Sequence, residues 1–158
     1  MPERISFHDE IRKNKLKSIF LFTIIIIVFL AIGYVISQAI DPSYFFVIMI
    51  FSIIISISYT IFSYYNADKL ALASVRAVPA SQTHHRQLIA SVENMSLASG
   101  LPMPRVYVMQ SNQINAFASG RDPKHSVICV TEGTLAKLNK QELEGVIAHE
   151  MSHIANYD

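Results

Sequence analysis

The chain has 158 residues and a mass of 17.8 kDa, with 13 Lys+Arg against 12 Asp+Glu for a formal net charge of +1. Hydrophobic residues make up 51% and charged residues only 16%, which excludes a disordered chain and argues against a wholly water-soluble globule. The balanced charge excludes the basic stripe of a nucleic-acid binder, and a single cysteine, Cys129, excludes a disulfide framework or a cysteine-rich zinc ribbon.

The apolar excess lies in the first half. No charged residue occurs from Ser18 to Ile40, or again from Pro42 to Ala67. Each stretch exceeds the roughly 20 helical residues that cross a hydrocarbon core. A lone strand in lipid would leave its backbone unpaired, so both are expected as helices. Tyr44, Tyr64 and Tyr65 mark the ends of the second stretch, as an interfacial aromatic belt would. A secretory signal peptide has a shorter apolar region, about 7–15 residues, and would not be followed at once by a second one. The link Asp41-Pro42-Ser43 allows only a tight hairpin. Arg4, Arg12, Lys13, Lys15 and Lys17 precede the first span, Lys69 and Arg76 follow the second, and the link carries no Lys or Arg. The positive-inside rule then places both termini in the cytoplasm, where a free cysteine stays reduced.

From about Asn66 the chain is polar enough for water. Asp68–Val78 is expected to continue the second span as a helix that Pro79 ends. Thr83 is the expected N-cap of a helix over about 84–98, with Leu88, Val92 and Met95 on its apolar face and Gly100 as its C-cap. Three strand candidates follow: 105–110, 114–119 and 126–131. The turn signal Gly120-Arg121-Asp122-Pro123 makes the last two a hairpin. A short helix over 133–138 comes next. The order of elements reads as α+β with a small antiparallel or mixed sheet.

The last element carries the chemistry. Asn139 with Glu142 three residues on is a capping-box start for a helix over 140–156, and Leu143, Val146, Ile147 and Ile154 give it an apolar face. Within it stands His149-Glu150-Met151-Ser152-His153, an H-E-x-x-H motif. Two histidines four apart share one helix face and can reach one ion, with Glu150 as the general base. A third ligand could come from His84, His85, His125, Glu132, Glu142 or Asp158, and none of them stands out. Asp158 suits better a partner that orients a ligand His. Cys129 reads as a small core residue on a strand.

With these residues in view, the chain resembles the N-terminal half of an HtpX-type heat-shock membrane protease, related to the CAAX prenyl proteases within the gluzincin metallopeptidases. The likeness rests on the basic start and two-span hairpin and on several linked stretches. These are Leu101–Val108, Asn115-Ala116-Phe117-Ala118, Gly120–Lys124, Val130–Leu135 and Glu142–Ile154. It implies one Zn2+ per chain at His149 and His153, zinc-activated water, and Glu150 as general base and acid. It implies an edge strand around Asn115, Ala116, Phe117 and Ala118 that pairs with an extended substrate. It further implies a multi-pass bacterial inner-membrane protein with a cytoplasmic peptidase domain, acting in the stress response on damaged or misfolded membrane proteins, with homo-oligomers left open. The domain plan is then 1–17 basic N-terminus, 18–65 transmembrane hairpin and 66–158 the first part of a metallopeptidase domain. Such proteases run to nearly twice this length and supply a downstream Glu as third zinc ligand. The chain is therefore expected to be a C-terminally truncated fragment. The alternative is a catalytically inactive, membrane-anchored remnant or partner of a full-length homologue.

Overall fold

A computed structural model describes residues 7–157 of the chain. The chain divides into two compact units, Met1–Tyr65 and Asn66–Asp158. In the first, helix α1 (Phe7–Ile40) and helix α2 (Phe45–Tyr65) are joined by a 3-10 turn over Pro42–Tyr44. The Asp41 carboxylate accepts from the Ser43 N–H at 2.7 Å and caps that turn. Ile11–Ile40 and Pro42–Tyr65 are long and apolar enough to cross a membrane, and only 6% of each apolar window is buried. A core helix would be mostly buried, so exposure on this scale fits lipid as the surroundings.

Small residues let the two helices approach. A Cβ on Gly33 would run into the Ser52 hydroxyl. Ser37 and Ser56 are fully buried, and their hydroxyls donate back to Tyr34 O at 2.7 Å and Ile53 O at 3.0 Å. Each polar group is thus satisfied within its own helix, as an apolar medium requires. Phe29 on Tyr59 and Phe22 on Tyr64 fill the seam, with ring centroids 5.7 and 5.9 Å apart.

The second unit begins with helix α3 (Ala67–Ser74), not the longer helix ending at Pro79 that the sequence suggests. Arg76 takes a left-handed conformation (φ 51°), and the N–H groups of Arg76 and Ala77 turn back to Ala73 O and Leu72 O. That closure ends the helix before proline is reached. Val78–Pro79 form instead a short strand, β1, at an edge where a missing N–H is tolerated. Helix α4 (Arg86–Ser99) starts two residues later than expected and without a Thr83 cap. The Ser81 hydroxyl takes the N–H groups of Thr83 and His84, at 3.3 and 3.4 Å, and holds them in a turn. Gly100 at φ 69° ends α4 as the sequence indicates.

Strands β2 (Arg105–Met109), β3 (Ala116–Gly120) and β4 (Ser126–Thr131) complete a mixed sheet of order β1-β2-β4-β3. β3 and β4 form the expected antiparallel hairpin, whereas β2 runs parallel to β4. Helices α5 (Glu132–Lys137) and α6 (Lys140–Asn156) follow. All six residues of β4 are buried. One face, with Ile128 and Val130, meets Leu88 and Val92 of α4 and Leu143, Ile147, Met151 and Ile154 of α6. The other, with Val127 and Cys129, meets Leu72 of α3 and Met109. A central strand covered on both faces reads as an unbroken apolar run, which is why 126–131 is so strongly marked in the sequence.

The pair Asp68–Arg105 ties α3 to β2. Burial pushes the Asp68 carboxyl up, but the Arg105 hydrogen bond, the Lys69 backbone N–H and the guanidinium charge outweigh it and hold it below the usual carboxylate range. A lowered native pKa means the unfolded chain binds the proton first. The pair's contribution is therefore present above about pH 4 and lost as pH falls through the native value. Urea midpoints measured from pH 7 to pH 3 are expected to fall more steeply near the acid end for the native chain than for Asp68→Asn; parallel curves would remove the pair from this account.

Candidate metal and peptide site

Helix α6 positions the motif. The Asn139 side chain accepts from the Gln141 and Glu142 N–H groups at 2.9 and 3.1 Å, and Glu142 accepts from the Asn139 N–H at 2.8 Å, a complete capping box. Leu143, Ile147, Met151 and Ile154 anchor one side of the helix. On another side the Nε2 atoms of His149 and His153 stand 3.2 Å apart, with ring centroids at 4.7 Å and planes at 83°. Two imidazoles bound tetrahedrally to one zinc at about 2.0–2.1 Å would place their nitrogens about 3.3 Å apart. The observed separation is close to that value, and it is also a hydrogen-bond distance between the two rings. His149 is exposed and His153 half-buried, while Glu150 between them is only 9% exposed.

Four of the six third-ligand candidates, His85, Glu132, His125 and Glu142, are engaged elsewhere. His85 stands at the N-cap of α4, where its Nδ1 accepts from the Ser81 N–H at 2.9 Å and its Nε2 lies 3.4 Å from Glu132. His125 holds Asp122 at 2.8 Å, and Glu142 belongs to the capping box. His84 is exposed, and Asp158 lies outside the described residues. Among the described residues no three His, Cys, Asp or Glu side chains group as a metal site would require.

Among the described residues strand β3 is an outer strand of the sheet, bonded to β4 alone, and α6 packs against it. The Thr131 N–H donates to Asn115 O at 3.0 Å, which makes Asn115 and Thr131 a hydrogen-bonded pair. Antiparallel alternation then makes Phe117 and Cys129 the next such pair, so Ala116 and Ala118 turn their backbone groups to the open edge. The Asn115 Oδ1 accepts from the Ala116 N–H at 3.0 Å. The four residues Asn115, Ala116, Phe117 and Ala118 thus divide: the alanine backbones face out, and Phe117 packs under the sheet with Cys129. Beneath Asn115, Thr131 and Thr134 form a buried hydroxyl pair at 2.7 Å that reading the sequence alone did not single out. Its only signal there was the Thr131-Glu132-Gly133-Thr134 stretch, which reads as a plain helix start.

Residues 81–158 match peptidase family M48. Over 110 residues the chain is 53% identical to a "Protease HtpX homolog" of Caldanaerobacter subterraneus subsp. tengcongensis, covering 70% of this chain and 37% of that protein. A relative of the same description from Thermoanaerobacter pseudethanolicus is 52% identical over 100 residues, covering 63% and 33%. One from Dictyoglomus thermophilum is 39% identical over 154 residues, covering 97% and 50%. The chain spans half or less of the length of these relatives.

Cys129 is fully buried on β4, and burial pushes its thiol up to about 11. It is a core residue and not a nucleophile. Iodoacetamide at pH 8 is expected to modify it at least about a hundredfold more slowly in the folded protein than in urea. Equal rates in an intact mass measurement would contradict this.

Proposed function

We propose that the chain, which resembles the HtpX-type members of peptidase family M48, is part of a membrane-bound zinc endopeptidase that cleaves damaged or misfolded membrane proteins. The observation that carries the proposal is the His149–His153 pair, set at the spacing of two ligands on one ion with Glu150 enclosed between them. In this reading His149 and His153 hold the zinc, and a further ligand comes from outside residues 7–157. Zinc, when bound there, supplies Lewis-acid polarisation of the scissile carbonyl.

The chain's own residues do the rest. An extended peptide pairs with the outward backbone groups of Ala116 and Ala118, and the Asn115 amide releases the Ala116 N–H to it. Glu150 takes a proton from the attacking water as its oxygen bonds the carbonyl carbon. Glu150 then gives that proton to the leaving amine nitrogen as the C–N bond breaks. Enclosure of Glu150 keeps bulk water from competing for the proton. The two apolar helices, long enough to cross a membrane, support a membrane location. The cationic Arg12, Lys13, Lys15 and Lys17 that precede the hairpin in sequence, and Lys69 and Arg76 that follow it, with no Lys or Arg in the link between, favour a cytoplasmic peptidase unit in a bacterial inner membrane.

The natural protein carrying this chain, purified in detergent, tests the proposal. Glu150→Gln is expected to lower peptide hydrolysis by at least about a hundredfold while zinc content is kept. His149→Ala is expected to lose both. Undiminished hydrolysis in Glu150→Gln would end the general-base role. Zinc-free, inactive wild-type protein would leave the anchored, non-catalytic partner as the better reading.

A further inference from the structure

The sheet order forces an unusual path on the chain between β2 and β3. Both strands pair with β4, on opposite sides, so the segment 110–115 must cross the end of β4 where α5 begins. The crossing is pinned at four places. The Gly133 N–H donates to Ser111 O at 2.8 Å, and Lys137 Nζ donates to Asn112 O. A Cβ on Gly133 would collide with the backbone of Asn112 and Gln113. Thr131 Oγ1 bonds Gln113 O at 2.6 Å, and Thr134 Oγ1 takes the Asn115 N–H at 2.9 Å.

The two hydroxyls carry one proton each. The Thr131 proton goes to Gln113 O, its shortest acceptor. The Thr134 proton is shared between Thr131 Oγ1 at 2.7 Å and Asn115 O at 3.0 Å. Thr131 Oγ1 in turn accepts the Thr134 N–H at 3.1 Å. Both side chains are at most 1% exposed, so no water can replace either partner. Both backbone groups of Asn115 are thereby turned inward, which fixes Asn115 opposite Thr131. A one-residue slip would swap the inward and outward groups all along β3.

We infer that Thr134, with Thr131, is a positioning residue for peptide binding: the buried hydroxyl pair locks the register of β3 and so decides that Ala116 and Ala118 present their backbone to an extended peptide. The inference rests on the peptidase reading above for its substrate, though not for the lock itself. Thr134→Val keeps the shape and removes the hydroxyl. In the natural protein it is expected to raise KM for an extended peptide of eight or more residues about tenfold, to change kcat less than twofold, and to leave zinc content unchanged. Thr134→Ser is expected to restore KM. A KM unchanged in Thr134→Val, or a fall confined to kcat, would overturn the inference.

Hydrogen exchange separates this from failure of the peptidase reading. The Phe117 amide, bonded to β4, is expected to exchange at least tenfold faster in Thr134→Val, with the Ile128 and Val108 amides unchanged. If wild type cleaves no peptide yet this local acceleration is seen, the peptidase reading fails and the lock stands. Uniform or absent acceleration overturns the lock. Should Thr134→Val not fold, the Asn115 amide of the unmodified protein, bonded to the buried Thr134 hydroxyl, is expected to exchange as slowly as the Phe117 amide; exchange at least tenfold faster would overturn the lock.

Discussion

Burial of strand β4 on every side is the constraint from which the second unit follows. Its six residues bond β2 along one edge and β3 along the other, and carry helices on both faces. Alternate side chains must therefore satisfy two different cores. Ile128 and Val130 commit α4 and α6 to one face, while Val127 and Cys129 commit α3 to the other. With β4 in the middle, β3 is left as an outer strand and α6 lies beside it. Helix α6, which carries the histidine pair, packs against the strand with the open edge because of what β4 excludes, before any requirement of the chemistry is considered.

Helix α6 then serves two masters through one periodicity. Leu143, Ile147, Met151 and Ile154 recur at intervals of four, four and three and form the buried stripe. Glu150 is three residues after Ile147 and four before Ile154, so it falls on that stripe. His149 and His153, four apart, fall beside it on the outer flank. The H-E-x-x-H spacing therefore sets the carboxylate at the border of the core and the imidazoles at the border of water. A general base gains from such a border: it is shielded enough to hold a proton and close enough to deliver it.

Much of this arrangement was legible in the sequence because it is local. The capping box at Asn139 and Glu142, the αL cap at Gly100, the hairpin before Pro123 and the stripe along α6 each depend on residues a few positions apart. The failures are long-range or depend on competing local bonds. The sequence does not show that β2 lies parallel to β4, that Asp68 finds Arg105 37 positions away, or that His85 meets Glu132. Thr83 has the residue type of a cap, yet the Ser81 hydroxyl takes the N–H groups of Thr83 and His84 and holds them in a turn ahead of the helix. A helix end at Arg76 was hidden because the left-handed position carries arginine where glycine would have announced it.

Helix hydroxyl groups in both units donate to carbonyls three or four residues back, as at Ser37 and Ser56 in the hairpin and at Ser74, Ser96 and Ser152 in the second unit, but the second unit adds one long-range pair. In the hairpin, Thr23, Ser37, Ser56 and Thr60 all donate to a carbonyl three or four residues back in their own helix. A helix in lipid cannot rely on a partner elsewhere, so local satisfaction is the safe solution. In the second unit, Thr131 and Thr134 reach 16 to 19 positions away to Asn115. There the hydroxyl is not merely satisfied; it joins a crossing segment to the sheet. Such a bond is costly to break, because both partners would be left buried without water. A protein that offers an open strand edge needs its pairing register fixed from beneath, since nothing beyond the edge holds it. The threonine pair does that at the one end of β3 where the chain enters.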